Sequence, residues 1–270
     1  MADKIVMLTN GNLHGLDILK GLKDNGIAID VVFETLPQVT DHLAKHSSDI
    51  LPVCYLKAAK KWWARRQYVA QTAPAFAQLA EHFYYTGPLN SKGMVKQLNQ
   101  LKPDYLILGG IGILKAEVIE TASKGVINTH PGLLPWARGS GVVGRSIEAD
   151  IACGGTCHYV NTGIDKGDFI ERRLLPLDGS EKSLSEVEQK AHYLVVQMMV
   201  DKVTEIVQTQ QKPERVEQLT QFKMFKSVMA EQRPAIDNMV AQGKAQALFE
   251  RWREKTSGVE PFVLPAQIQE

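Results

Sequence analysis

Cysteine is scarce in this 270-residue chain, which holds three: Cys54, Cys153 and Cys157. An odd number of thiols provides no disulfide framework and fits a reducing, cytoplasmic setting. Cys153-Gly-Gly-Thr-Cys157 could pass for half a metal site, but no second ligand pair stands at zinc spacing. Both thiols are therefore read as small strand or loop residues, and no metal is expected. Long apolar runs are also missing. Met1-Ala-Asp-Lys leads into Ile5-Val-Met-Leu8, too short for a signal peptide, and no segment approaches the length of a membrane span. Charge of one sign is not in surplus: 31 Lys and Arg against 30 Asp and Glu leave +1, which gives no electrostatic reason to invoke a nucleic-acid partner. What remains is 44% apolar residues, enough to cover a sheet on both faces within one large domain, or one domain plus an appendage.

The first half alternates strand and helix patterns. Lys4 to Leu8 is strand-like, His14 to Lys23 repeats Leu16, Leu19 and Leu22 at helical spacing, and Ile27 to Phe33 is apolar and β-branched. Residues 42–82 predict helical segments with loops, followed by His82-Phe-Tyr-Tyr-Thr, a helix through Met94 to Leu101 and a strand from Tyr105 to Leu108. Such alternation predicts an α/β, Rossmann-like architecture with a mostly parallel sheet. Within 57–68, basic and aromatic residues mix as on an RNA-contacting helix. The bland reading is a solvated face whose tryptophans pack inward or cover a ligand. Helical spacing returns from Ser183 to Val203. After Gln208 the composition shifts to Gln, Lys and Glu, which divides the chain into 1–208 and a helical C-terminal extension, 209–270. Ile236, Met239, Val240, Leu248, Phe249 and Trp252 make an apolar face on that extension. It can cover the core or pair two subunits as a homodimer.

The chemistry concentrates between 125 and 170. Val126 and Ile127 form a short apolar strand that runs into Asn128-Thr-His130 and is halted by Pro131 and Gly132. Asn128 and His130 stand two apart, so on an extended backbone they share one side. A loop at the C-terminal end of a strand is where open α/β sheets bind ligands. A lone histidine there is more often a hydrogen-bonding loop residue, and His14, His42, His46, His82, His158 and His192 are given no catalytic part. The independent partner is Asp165, flanked by Gly163-Ile164 and Lys166-Gly167 after the strand-like Thr156 to Val160. An amide, an imidazole and a carboxylate are the minimum set for acyl transfer to an amine.

Gly139-Ser-Gly141-Val-Val-Gly144 spells a dinucleotide fingerprint, and Asp165 follows Gly144 by 21 positions. Alone this suggests a nicotinamide-dependent oxidoreductase. The fingerprint should follow a buried strand directly, whereas here it follows Pro-Gly-Leu-Leu-Pro-Trp-Ala-Arg. These glycines are therefore read as a loop and the first turn of a helix through Arg145 to Ala149.

Ile127-Asn128-Thr-His130-Pro131, Leu133-Leu134-Pro135, Arg138-Gly139 and Ile164-Asp165-Lys-Gly167-Asp-Phe-Ile170 together resemble the folate-dependent formyltransferases. That group includes the glycinamide ribonucleotide, methionyl-tRNA and sugar N-formyltransferases. The resemblance runs from about Lys4 to about Val203 and is strongest over Pro103 to Leu177. It implies an enzyme of one-carbon metabolism whose co-substrate is 10-formyltetrahydrofolate. It further implies that Asn128 holds the developing oxyanion, that His130 polarises the formyl oxygen and shuttles a proton, and that Asp165 tunes His130. Gly109, Gly110, Ile111, Gly112, Ile113 and Leu114, with Gly163 and Ile164, would contact the pterin. Asn10, Gly11 and Asn12, at the first strand-to-helix junction, would take an acceptor phosphate, a role that also suits the N–H groups of a helix start. The length of the 108–114 segment resembles the sugar and transfer-RNA branch, and the His130-to-Gly139 stretch resembles the sugar enzymes slightly more, so the expected acceptor is a small-molecule primary amine. An amino-sugar nucleotide stands ahead of glycinamide ribonucleotide. A helical tail, where transfer-RNA enzymes carry a β-rich domain, places tRNA behind both. Two readings stay open: a formyltetrahydrofolate deformylase, although such enzymes usually carry an N-terminal regulatory domain, and a non-catalytic folate-binding protein.

Overall fold

The computed structural model describes residues 2–34, 51–218 and 222–256, without the side chains of 51–58 and 61. The chain falls into two compact units, Met1–Val126 and Ile127–Glu270.

In the first unit, four parallel strands take the order β3-β2-β1-β4. They are β1 (Ile5–Thr9), β2 (Asp30–Glu34), β3 (Phe83–Thr86) and β4 (Tyr105–Gly109). Every residue of β1 and β4 is buried, so these strands read as unbroken apolar runs instead of alternating ones. Helix α1 (Leu13–Asp24) starts at Asn12, whose side chain accepts from Gly15 N at 3.0 Å and satisfies one of the helix's orphan donors. Gly15 is needed at that spot because a Cβ there would lie 2.4 Å from the Gly109 carbonyl oxygen. The sequence predicts helical segments with loops over 42–82. Instead, 51–79 is one helix, α2 (Leu51–Leu79), while 42–50 lies outside the described residues. Helices α3 (Lys92–Leu101) and α4 (Ala116–Ile119) also belong to the described residues of this unit.

Strand β5 (Gly125–His130) carries the chain into the second unit, where it pairs antiparallel with β6 (Gly154–Tyr159), and β6 with β7 (Phe169–Leu174). Around them lie α5 (Val142–Glu148), α6 (Leu184–Thr209), α7 (Arg233–Ala241) and α8 (Lys244–Thr256). Ser183 caps α6 through Glu186 N. The apolar tail face covers this unit's own core. Ile236 and Val240 pack with Val143, Ile147, Leu184 and Val187, while Met239 and Phe249 lie against them. Leu248 and Trp252 pack on Leu133 and Trp136. Burying each such side chain contributes roughly 1.5–3 kcal/mol.

The extension is helical only from Arg233. Between Gln210 and Gln232 the described residues form an extended strap, which corrects the all-helical expectation. The strap borrows its hydrogen bonds from neighbours: Phe169 and Val216 exchange N–H and C=O, and Phe225 N donates to Arg138 O at 2.7 Å. Pro213 has no N–H to give a helix.

Cys153 precedes β6 and Cys157 lies within it. Both are buried free thiols whose pKa burial pushes up to about 12, so they stay protonated and inert. Among the described residues no cluster of three His, Cys, Asp or Glu could hold a metal ion, and no helix is long and apolar enough to cross a membrane.

Candidate functional site

Antiparallel pairing fixes the site's floor. Asn128 sits opposite His158, and His130 opposite Thr156, so the four side chains share one face of β5 and β6. His158 Nδ1 lies 2.8 Å from the Tyr159 carbonyl oxygen. A carbonyl only accepts, so this ring nitrogen carries the hydrogen and Nε2 is left as an acceptor. Asn128 Nδ2 donates to that Nε2 at 3.3 Å. Burial first, and the neighbouring His130 second, hold His158 down to a pKa of about 4. The acceptor state is thereby maintained at neutral pH. His158, given no part by the sequence, therefore orients the amide of Asn128 and leaves that amide a second N–H.

His130 is 6% exposed. Its Nε2 donates to Ala137 O at 2.8 Å, within the loop that follows its own strand. Gly132 permits that loop: a Cβ there would stand 2.6 Å from Ala137 O and 3.0 Å from His130 Nε2. Thr156 pins the loop from β6, its hydroxyl donating to Gly132 O at 2.7 Å and accepting from Leu134 N at 3.0 Å. Arg172 adds a donation to Leu134 O at 2.9 Å. The remaining ring nitrogen, Nδ1, lies 3.8 Å from Asp165 Oδ1, close enough for charge pairing yet longer than a hydrogen bond.

Asp165 is set by its loop. Its φ of 50° is left-handed, a conformation that aspartate tolerates better than most residues. Its Oδ2 accepts from Gly139 N at 2.9 Å. Gly167 closes the turn against β6, where a Cβ would fall 1.7 Å from Tyr159 O. Arg138 then ties three segments together. Buried at 6% exposure, it donates from one arm to Ile164 O at 2.6 Å and from the other to Phe222 O at 2.9 Å. The strap grips the same loop from its other end, through Gln218 on Gly167 O and Arg215 on Asp168 at 3.4 Å. Arg138 appeared in the sequence only as part of a motif; a charged residue between two apolar stretches was the signal available. The strap contacts carried no such signal.

The structure thus brings Asn128, His130 and Asp165 together, with Gly163 and Ile164 in the aspartate's loop. The glycines at 139, 141 and 144 form a loop and the first turn of α5, as read; Gly139 and Gly141 adopt φ of 97° and 65°.

The other predicted residues lie in the first unit. Asn10, Gly11 and Asn12 join β1 to α1, and Asn12 Nδ2 donates to Gly110 O at 3.0 Å. The loop is held from α2, where Arg65 donates to Asn10 O at 2.5 Å and Tyr68 to Gly11 O at 2.8 Å. Both groups come from the basic, aromatic stretch 57–68. Its tryptophans do not both pack inward, since Trp63 is 58% exposed. Gly109 closes β4, and Gly110 to Leu114 run on as a loop. Ile111, Gly112 and Ile113 lend their N–H groups to no backbone hydrogen bond among the described residues. Ile113 is 64% exposed, so that segment presents apolar surface.

The family described as formyl transferase matches residues 4–203. A methionyl-tRNA formyltransferase of Akkermansia muciniphila is 34% identical over 116 residues, covering 41% of this chain and 37% of that enzyme. The chain thus spans well under half the length of that relative. In fold, it resembles a sugar N-formyltransferase from a Shewanella species, with a TM-score of 0.55, 15% identity and coverage of 88% and 87% of the two chains. It also resembles a formyltetrahydrofolate deformylase from Pseudomonas syringae pv. tomato, with a TM-score of 0.55, 14% identity and coverage of 80% and 66%.

Proposed function

Since the chain belongs to the formyl transferase family, we propose that it transfers the formyl group of 10-formyltetrahydrofolate to a primary amine of a small molecule. One observation carries the reading: His130 Nδ1 faces Asp165 at 3.8 Å on the strand face that also bears Asn128.

10-Formyltetrahydrofolate supplies an activated one-carbon acyl group. Gly109 to Leu114 would hold its heterocycle, together with Gly163 and Ile164. As an amine attacks a formyl carbon, charge grows negative on oxygen and positive on nitrogen. The free N–H of Asn128 meets the oxygen, an interaction worth roughly 3 kcal/mol at the transition state. His130 exchanges its proton at Nδ1, since Nε2 is committed to Ala137 O. The proton lost by the attacking nitrogen goes to Nδ1, where Asp165 balances the imidazolium charge, and is returned to the nitrogen that departs from the formyl carbon. Positioned proton transfer of this kind contributes about 10²–10⁴-fold in rate.

The likeness of 130–139 to sugar enzymes, and of the 108–114 length to the sugar and transfer-RNA branch, supports an amino-sugar nucleotide ahead of glycinamide ribonucleotide as the acceptor. Asn10, Gly11 and Asn12 would take its phosphate, and the cytoplasm is the expected setting. The test is incubation with 10-formyltetrahydrofolate and a panel of amino-sugar nucleotides, glycinamide ribonucleotide and methionyl-tRNA, followed by mass spectrometry. An amine that gains one formyl mass supports the reading and names the acceptor. Formate release at the same rate without any amine replaces it with the deformylase reading.

A further inference from the structure

A cavity of about 520 Å³ in the second unit has no part in the chemistry above. Its walls are aromatic: Trp136, Phe222 and Trp252 line it, with Trp136 edge-on to Trp252 at 5.6 Å and tilted to Phe222 at 6.3 Å. Three cations stand in the same lining: Lys223 from the strap, and Arg251 and Lys255 from α8. Arg251 and Lys255 are four residues apart and so share one helix face. All three are exposed. Neither lysine has an acidic partner among the described residues, and Arg251 donates only to the Asp150 carbonyl, at 2.7 Å. The acid in the lining, Asp150, is already matched by Lys244 at 2.9 Å. The cavity is therefore electropositive.

Aromatic walls and a cationic lining are recognition elements of a small-molecule pocket, and the volume lies within the range of about 300–1,000 Å³ common to such sites.

We infer that this cavity binds a flat aromatic molecule carrying a carboxylate or phosphate. The rings take the aromatic plane, and Lys223, Arg251 and Lys255 hold the anion. The cation faces also favour an aromatic ring directly. Trp136 precedes Ala137, whose carbonyl holds His130 Nε2, so an occupant would pack against the loop that fixes the imidazole.

The test needs no formyl donor, so its failure and that of the formyl-transfer reading are separate. The protein, labelled with ¹⁵N-tryptophan, shows four indole N–H signals, from Trp62, Trp63, Trp136 and Trp252, assigned by single Trp→Phe variants. It is titrated with 2-naphthoate, 1-naphthyl phosphate and the neutral 2-naphthamide. The expected result is saturable one-to-one binding of at least one anion that moves the Trp136 and Trp252 signals and leaves Trp62 and Trp63 in place. The neutral amide should bind at least about tenfold more weakly. Lys223→Glu with Lys255→Glu should weaken the anion about tenfold without changing the melting temperature. Equal binding of the amide, movement of all four signals alike, or full binding by the double variant would each overturn the inference. So would the absence of any shift with both anions.

Discussion

Asn128 donates its amide hydrogen to a ring nitrogen of His158 across the β5–β6 ladder, 3.3 Å away, and that nitrogen can accept only because the opposite side of the ring is spent on Tyr159 O. The amide that would meet a transition-state oxygen is thus oriented by a histidine that itself takes no proton at neutral pH. His158→Leu should lower kcat by about 10²-fold with little change in KM, the order expected when one oxyanion donor is lost. His158→Gln, whose side-chain oxygen can accept the same bond, should recover much of that loss. Steady-state kinetics on both variants decide it: equal activity in Leu and Gln would deny His158 this positioning role.

The same histidine makes stability depend on pH. Its folded pKa of about 4 lies below its ordinary value of 6.5. Between those values the unfolded chain takes up the proton and the native one does not, so stability is complete above about pH 6.5 and falls as the solution is acidified toward 4. The full loss is on the order of 3 kcal/mol. Urea unfolding at pH 7.5, 6, 5 and 4.5 should show the decline, and His158→Gln should flatten it. An unchanged slope in that variant would point to a different titrating group.

His130→Ala should reduce kcat by about 10²–10⁴-fold while leaving the melting temperature within a few degrees. Asp165→Asn is a cleaner probe than alanine, since asparagine accepts the left-handed φ of 50° and only the charge is removed. A loss of about 10²-fold in kcat is expected from it. Near-parental turnover in both variants would remove the pair from the chemistry.

Arg138 positions the aspartate's loop through two carbonyls, Ile164 O and Phe222 O. Lysine keeps the charge but cannot span both with a rigid fork. Arg138→Lys should cost about tenfold in kcat and, as a readout that a general weakening would not give, selectively speed proteolysis within 160–168 and 212–225. Uniform proteolysis across the chain would argue against this role.

Gly167→Ala brings a Cβ to 1.7 Å from Tyr159 O, a clash that only backbone movement relieves. A stability loss of about 1–3 kcal/mol is expected, together with a fall in kcat because the displaced loop carries Asp165. Thermal denaturation and kinetics on the same preparation check both halves.

Much of this was readable from residues alone. Local pattern fixed β1, α1 and the strand of Asn128 and His130, because burial on both faces demands unbroken apolar runs and helices demand their own spacing. The motif at 127–135 and the glycine-flanked Asp165 named three polar groups. The spacing of Ile236, Val240, Leu248 and Trp252 foretold an apolar tail face, without saying whether it would cover the core or pair two chains. The helical expectation for the tail fails only over the described residues between 210 and 232, because a strap held by Arg138 O and Phe169 depends on distant partners that no local pattern encodes.

Side-chain type and period alone gave the chemical inventory and the strands and helices whose apolar pattern is strong, such as β1, α1 and β5. Only the folded chain decides which nitrogen of His130 is left uncommitted, how Asp165 comes within 3.8 Å of it, and that His158 and Arg138 serve the site. Those outcomes rest on hydrogen bonds between residues up to 84 positions apart, and such bonds exist only once the antiparallel ladder and the strap have closed around them.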